Sequence, residues 1–552
     1  MARRGARRER VLAACGSTRR EPLWNDPDRQ AIGQAPKKYY SPFAWDAANH
    51  TLFRPVSRFF AVDPAGEAVN VNALDEVPDS SWFTNRVGRF PLPVDAAAIG
   101  ACSKRAPSQR DPWVITRAKP NGFNPGFFVE IEGQKYLMKF DGTEEGTRPT
   151  AADVIGTRIF HAAGYFVPCN RIVFFERKLL TIGNGARGEN SRGGEAPLTE
   201  GDVERVLAKA LRLTDGRYRA SVSQFIEGTP LGPWTYEGTR ADDPNDVIPH
   251  EDRRELRGMY ALAAWLGYYD SREQNTMASF VEAGGGGYVR HYMLDVGNVF
   301  GSVWDPPLLG RRITHAYYLD FPYLFEDFVT LGARQRPWDR LRFGPTGKQF
   351  GYYDVTEFDP DAFRPGYPNP AFVRRSERDS AWMARIVSRI SERHIRSIVA
   401  EAQLAPAHEK RLLEVVFGRR KKLLSRFLSR LSPLGAPRVD GDGLCLEDLG
   451  ILAGVVPANE RTYSYRAFTG DRLTPASVTN VGLTRGHFAC VTLPAVPGAS
   501  RTEPGYVVVD LGAARATGEA AFPARIHLYH LGDGGYRVVG LERPYDWAPP
   551  EG

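Results

Sequence analysis

The 552-residue chain has no run of about 18 apolar residues, the length that a membrane-spanning helix needs. Cysteine is scarce as well, and no CxxC or Cys/His spacing indicates a zinc site. The five cysteines are far apart and odd in number: Cys15, Cys102, Cys169, Cys445 and Cys490. The sequence therefore predicts no membrane-spanning helix, no structural zinc and no disulfide framework, with at least one thiol left over if the others pair.

The composition is that of a folded soluble protein, with 42% hydrophobic, 25% charged and 11% aromatic residues. The length predicts two to four domains, and 55 glycines with 41 prolines indicate many turns. The net charge of +7 favours anionic partners such as nucleotides, nucleic acids or acidic lipid surfaces, without selecting among them.

The N-terminus contains five arginines followed by Leu12-Ala13-Ala14-Cys15, which resembles a bacterial lipobox in which Cys15 is lipidated. A working signal needs about 7–15 apolar residues before the cleavage site. Here only the four residues 11–14 are apolar. Either the start codon is misassigned or the match is chance. The first alternative predicts a cell-envelope lipoprotein attached to a membrane through Cys15, and the second a cytoplasmic protein.

Composition and periodicity divide the chain into five segments and predict an α+β fold. Short alternating runs broken by Asn-Gly and Pro-Gly predict strands between 113 and 140, and apolar spacing over 150–164 predicts a helix. The segments are a flexible leader or signal remnant (1–35), an N-terminal extension (36–110), a β-rich part (111–230), a helical part (231–435) and a small all-β module (440–552).

Two neighbouring stretches carry an acid–amide–acid pattern. "LGYYDSREQNTM" (266–277) places Asp270 five positions before Asn275, and "YMLDVGNVFG" (292–301) ends an apolar run with Asp295. Phosphoryl transfer from ATP needs an acid for the acceptor hydroxyl, and Mg²⁺ prefers oxygen ligands such as amides and carboxylates. The pattern predicts a metal-nucleotide site, and the alternative is a loop held by Asx-turns.

Further candidates lie upstream. Lys139 is a charged residue among apolar strand neighbours, and Asp153 follows fourteen residues later in the predicted helix, where it could pair with the lysine. Glu144 and Glu145 are other possible partners, and Asp153 could instead be a surface acid near a helix start. The turn "KPNGFNPGFF" offers Gly122 and Gly126, where the backbone could approach phosphate.

In this order, these residues make the stretch 111–305 resemble the protein-kinase-like fold, and its atypical branches most, namely phosphatidylinositol kinases and HipA-type kinases. The stretch also resembles an uncharacterised bacterial kinase-like group, some of whose members carry lipoprotein signals. The resemblance implies a bilobal fold that uses ATP and Mg²⁺. It implies that Lys139 contacts ATP phosphates, Asp270 is the catalytic acid/base, and Asn275 and Asp295 bind Mg²⁺. Residues 221–228 would lead to the adenine-binding hinge.

The sequence departs from the kinase pattern at three places. Tyr268-Tyr269 replace the usual His or Arg before the catalytic acid, Val296 replaces Phe, and Asp153 is one methylene shorter than the usual Glu. Three hypotheses remain: an atypical kinase acting on a protein, lipid or small molecule, a catalytically inactive kinase-fold binding protein, and an unrelated envelope protein. The third predicts that the four side chains of Lys139, Asp270, Asn275 and Asp295 do not converge. No nucleic-acid partner is expected.

Overall fold

The computed structural model describes residues 22–60, 66–103, 106–119, 124–142, 146–189, 194–301, 307–476, 481–483, 486–515 and 522–544. Outside these ranges lie the lipobox residues 12–15, which include Cys15, and also Gly122, Glu144 and Glu145. In the part of the chain that the structure describes, no helix is both long and apolar enough to cross a membrane. Helices and several sheets are both present, so the predicted α+β class is confirmed.

The N-terminal extension is helical and packs against later segments. It contains α1 (Phe43–Ala48), a π-helical turn (Asn49–Phe53), α2 (Arg54–Phe60) and α3 (Val94–Ile99). Within residues 22–35, predicted to belong to a flexible leader, two residues form isolated β-bridges: Asn25 pairs with Asp79 and Ile32 pairs with Gly287. Because backbone bridges require no apolar periodicity, the sequence pattern did not reveal this pairing.

The first sheet supplies the strands that carry Lys139. Its strands are β1 (Trp113–Ala118), β2 (Gly126–Ile131), β3 (Gln134–Phe140), β4 (Asn170–Phe175), β5 (Leu180–Glu189), β6 (Glu195–Pro197) and β7 (Tyr218–Gln224), in the order β4-β7-β3-β2-β1-β5-β6. Helix α4 (Arg148–Ala163) lies between β3 and β4 in the chain, and α5 (Glu200–Leu207) precedes β7. The β1–β5 pair is parallel and the other pairs are antiparallel.

Helix α4 is buried on nearly every face. Pro149 lies in its first turn, where a missing N–H costs nothing. The helix ends at Gly164, whose φ of 130° is one that L side chains rarely adopt. A Cβ at Gly164 would also lie 2.2 Å from the Phe83 ring, so only glycine fits this junction. The helix is thereby fixed between the sheet and the main core.

The middle of the chain continues with β8 (Thr229–Gly232), α6 (Arg254–Leu266), β9 (Thr276–Ala283), β10 (Gly286–Met293), α7 (Pro307–Arg312), α8 (Phe321–Thr330), α9 (Pro370–Val373), α10 (Glu377–Arg389), α11 (Glu392–Ala400) and α12 (Pro406–Phe427). Strands β8–β10 form a small sheet in the order β10-β9-β8. Helix α6 is wholly buried in the main hydrophobic core, and it ends at Gly267 in the left-handed conformation.

The C-terminal part forms two more sheets around a third apolar core. Its elements are β11 (Leu434–Asp440), β12 (Gly443–Asp448), α13 (Leu449–Leu452), β13 (Arg461–Thr469), β14 (Thr474–Ala476), β15 (Val481–Leu483), β16 (Phe488–Thr492), β17 (Gly505–Arg515), β18 (Ala524–His530) and β19 (Tyr536–Glu542). The sheet orders are β11-β12-β16-β15 and β14-β13-β17-β18-β19. The carboxylate of Asp75 accepts ion pairs from Arg254, Arg385 and Arg543, which joins this part to α6, α10 and the N-terminal extension.

The structure contains two disulfides, so the prediction of no disulfide framework was wrong. Cys102 pairs with Cys169 and Cys445 pairs with Cys490, at sequence separations of 67 and 45. Cys445 and Cys490 are register partners on β12 and β16. Strand pairing brings these two thiols together, and the spacing of the cysteines in the sequence does not indicate this pairing.

Replacing both Cys445 and Cys490 by serine should lower the free energy of unfolding by roughly 2–4 kcal/mol, because the unfolded chain loses the closure of a long loop. Denaturant unfolding checks this value, and reduced wild type serves as the control because it should lose at least as much. Titration of thiols in the denatured, unreduced protein should find one free thiol of the five. Five free thiols would contradict the pairing.

Candidate active site

Lys139 lies at the centre of the site and bridges two carboxylates from different elements. Its Nζ is 3.3 Å from Asp153 Oδ1 on α4 and 3.2 Å from Asp295 Oδ2, which follows β10. Ser221 on β7 donates a hydrogen bond of 2.8 Å to the other oxygen of Asp153. The contact expected from the sequence between Lys139 and Asp153 is therefore present, although aspartate is the shorter acid.

Asp270 and Asn275 lie on the loop that follows α6. The Asn275 side chain donates to the Asp270 backbone carbonyl at 2.7 Å, which closes the loop on itself. The backbone carbonyl of Asn275 accepts hydrogen bonds from the backbone N–H groups of Leu294 and Asp295, at 2.9 and 3.4 Å. These two bonds hold the loop against the segment that carries Asp295. The Asp270 loop is thus joined through backbone hydrogen bonds to the segment whose Asp295 side chain contacts Lys139.

The charges of the cluster are mutually dependent. Burial alone would lower the pKa of Lys139, but Asp153 and Asp295 raise it above its usual value. Burial would raise the pKa of Asp295, yet the Lys139 ammonium lowers it overall, whereas the pKa of Asp153 is raised because burial outweighs the lysine. The Asp295 side chain is 38% exposed. The cluster therefore presents an ionised carboxylate to solvent beside a permanent cation.

The Asp270 carboxylate is buried and held at both oxygens. Arg272 Nε is 2.9 Å from one oxygen, and Asn298 donates to the other at 2.7 Å. Burial raises the pKa of this carboxyl above its ordinary value, against the lowering effect of Arg272 and of hydrogen bonds from Asn275 and Asn298. A carboxylate with a raised pKa has the proton affinity that a general base requires.

The glycine-rich turn is only partly within the described residues. Gly126 begins β2 and is the register partner of Lys139, and a Cβ there would lie 2.2 Å from the Met138 carbonyl oxygen. Gly126 therefore permits the close approach of two strands beside the lysine.

The sequence reasoning missed several neighbours of the cluster. Lys119 directly follows β1 and donates to the Asn124 backbone carbonyl at 3.0 Å, and burial together with the charge of Lys139 lowers its pKa. Its position next to the glycine-containing turn is the sequence feature that could have identified it.

Tyr268 is buried, and its hydroxyl donates to the Asp295 backbone carbonyl at 3.0 Å. Tyr268, which departs from the kinase pattern, therefore helps to hold the segment that carries Asp295 in place.

Comparisons with known proteins give faint likenesses. No family model and no curated protein matches the chain. A Helicobacter pylori proinflammatory kinase, CtkA, is 12% identical with a TM-score of 0.27, over 56% of this chain and 94% of that one. The Golgi casein kinase with Mn/ADP bound is 11% identical with a TM-score of 0.21, over 50% and 73%. A second structure of the Golgi casein kinase has 12% identity and a TM-score of 0.21, over 66% and 96%. TM-scores this low carry no conclusion about the function of this chain.

Gly297 lies where the cluster is tightest, since a Cβ there would be 2.1 Å from Asp153 Oδ1. We expect Gly297→Ala to push Asp153 away from Lys139 and to lower the free energy of unfolding by about 1–3 kcal/mol. Gly33 has no atom within 4 Å of an added Cβ, so Gly33→Ala should stay within about 0.5 kcal/mol of wild type. Denaturant unfolding measures the free energy of unfolding of both variants. Equal values for the two would show that a Cβ at position 297 is accommodated without a clash.

Proposed function

We propose that the protein is an ATP- and Mg²⁺-dependent phosphotransferase of the atypical kinase type, acting on a hydroxyl of an acceptor still to be identified. One observation carries the proposal: the Lys139 ammonium lies within 3.3 Å of carboxylates from α4 and from the segment after β10. This arrangement supports a kinase cleft, because phosphoryl transfer depends on a fixed cation beside a metal-binding acid.

The donor set fits a magnesium nucleotide. Asp295 and Asn275 offer the hard oxygen ligands that Mg²⁺ prefers, and Lys139 and Lys119 offer positive charge for phosphates. When bound, the metal ion neutralises charge on the phosphate oxygens. The chain itself supplies positioning: Asp295 is held by Lys139 and, through its backbone, by Asn275, so it would keep its position before a nucleotide enters.

The proton of the acceptor hydroxyl would pass to the Asp270 carboxylate. Its two oxygens are oriented by Arg272 and Asn298, and Asn275 fixes the backbone at the same residue. An oriented base within reach of the hydroxyl contributes typically 10²–10⁴-fold to rate. In this mechanism Asp270 orients and deprotonates the acceptor, whereas Asp295 and Lys139 serve the nucleotide.

A catalytically inactive, kinase-fold protein that binds a nucleotide or a partner is the second candidate. The observation that favours it is the contact of Arg272 and Asn298 with the Asp270 carboxylate, because both partners stabilise the ionised form and so oppose the uptake of a proton. The two disulfides favour an oxidising compartment, and therefore a place in the cell envelope, for either candidate. Lipidation of Cys15 would be one route of attachment there.

Two isosteric variants separate binding from transfer. Asp295→Asn should abolish the thermal stabilisation by Mg-ATP, because the metal ligand loses its charge. Asp270→Asn should keep that stabilisation but lose phosphate transfer by about 10²–10⁴-fold, measured with labelled ATP and general protein, lipid and small-molecule acceptors. Transfer unchanged in Asp270→Asn would contradict the assigned base. No stabilisation of wild type at saturating Mg-ATP would overturn both the kinase and the nucleotide-binding alternative.

Transfer should also depend on pH through Asp270. The base works only when ionised, and burial raises its folded-state pKa. The rate should therefore fall tenfold per pH unit below a pKa that lies above the ~3.9 of a free aspartate. The stabilisation by Mg-ATP should persist at these pH values, because the pKa of Asp295 is lowered. A transfer rate that stays constant down to about pH 4 would argue against a buried carboxylate base.

A further inference from the structure

A second polar cluster includes one residue of the Asp270 loop and shares no side chain with the Lys139 site. It joins Asp46 of α1 and His50 of the π-helical turn to Glu273, which lies in the loop between Asp270 and Asn275. All three side chains of the cluster are buried. Their nearest carboxylate oxygens and imidazole nitrogen all lie within 4.8 Å of one another.

The spacing suits a single metal ion. His50 Nε2 is 3.1 Å from Asp46 Oδ1. Ligand atoms each ~2.1 Å from one metal are about 3.0–3.4 Å apart at right or tetrahedral angles, and at most about 4.2 Å. The His50–Asp46 pair already has this separation, and the Glu273 oxygen, within 4.8 Å of both, would have to move closer to join them around one ion.

The cluster also lacks a permanently charged cation among the described residues. Among the described residues, no lysine or arginine forms an ion pair with Asp46 or Glu273, and the neighbours Ser41 and Tyr367 donate only neutral hydroxyls. Elsewhere the chain neutralises buried carboxylates with arginine, as at Asp141, Asp379 and Asp448. Two buried carboxylates facing one another need a cation or a shared proton.

An independent observation comes from Gln274. Its Nε2 is 3.4 Å from Asp46 Oδ2 and donates to Ser41, so the amide faces the cluster. Its Oε1 atom is buried and accepts no hydrogen bond from any residue that the structure describes. An oxygen buried without a donor is costly in a folded protein. Because Nε2 is the atom that faces Asp46, Oε1 would reach an ion in the cluster only if the amide turned by 180°.

We propose that Asp46, His50 and Glu273 bind a divalent first-row transition cation such as Zn²⁺ or Mn²⁺. One imidazole nitrogen with two carboxylates is a borderline donor set that favours these ions over Mg²⁺. The ion would fasten the N-terminal extension to the loop that carries Asp270. The proposal does not depend on phosphotransferase activity.

The test uses the full-length chain without nucleotide, in the Asp295→Asn background so that the Lys139 site contributes no metal. After chelator treatment and dialysis, titration calorimetry with ZnCl₂ and then MnCl₂ should show one equivalent bound. His50→Gln and Glu273→Gln should each weaken binding at least tenfold. His250→Gln is the matched control, because His250 also forms a buried pair with an aspartate four residues away, at 2.7 Å from Asp246. That variant should bind the ion as the parent does.

Binding that is equally tight in His50→Gln and Glu273→Gln would overturn the assignment, and so would no binding by the folded parent at 100-fold excess metal. The latter result would mean that the carboxylates share a proton. If the variants do not fold, Co²⁺ added to the parent protein decides the matter. A visible absorption band that saturates at one equivalent and is displaced by Zn²⁺ supports the site, and an unsaturable or absent band refutes it.

Discussion

The structure around the candidate active site depends on one buried cation. Lys139 is almost fully enclosed, and its ammonium would be expensive there without the carboxylates of Asp153 and Asp295. Each acid in turn needs the lysine, since repulsion between Asp153 and Asp295 would otherwise favour protonation of one. The first sheet, α4 and the segment after β10 therefore meet at a point that none of them could form alone.

Much of this site could be predicted because its parts have local signatures. Asp270 and Asn275 follow a buried helix at a fixed spacing, and Asp295 ends an apolar strand, so the sequence placed all three in loops at element ends. Lys139 was identifiable as a charge within an apolar strand. The structure brings these residues together, and it confirms the mixed α+β class.

Features that depend on distant pairing could not be predicted. The disulfide of Cys445 arises from strand register, and the position of Asn25 from a single bridge. Neither the disulfide nor the bridge produces a repeating hydrophobic pattern in the sequence. Tyr268 departs from the kinase pattern in the sequence. In the structure its hydroxyl donates a hydrogen bond to the Asp295 backbone carbonyl, which gives it a structural role. The His50 cluster combines residues more than 200 positions apart, which no local motif could link.

The burial of α4 has a consequence for regulation. Many switches work by swinging a helix that carries half of an ion pair. Here the helix is enclosed between the sheet and the main core, and Gly164 locks its end against Phe83. Exposing even ~200 Å² of apolar surface would cost about 5 kcal/mol, enough to make an outward state rare. The Lys139–Asp153 pair is thus expected to stay formed, and control by an outward swing of α4 is disfavoured.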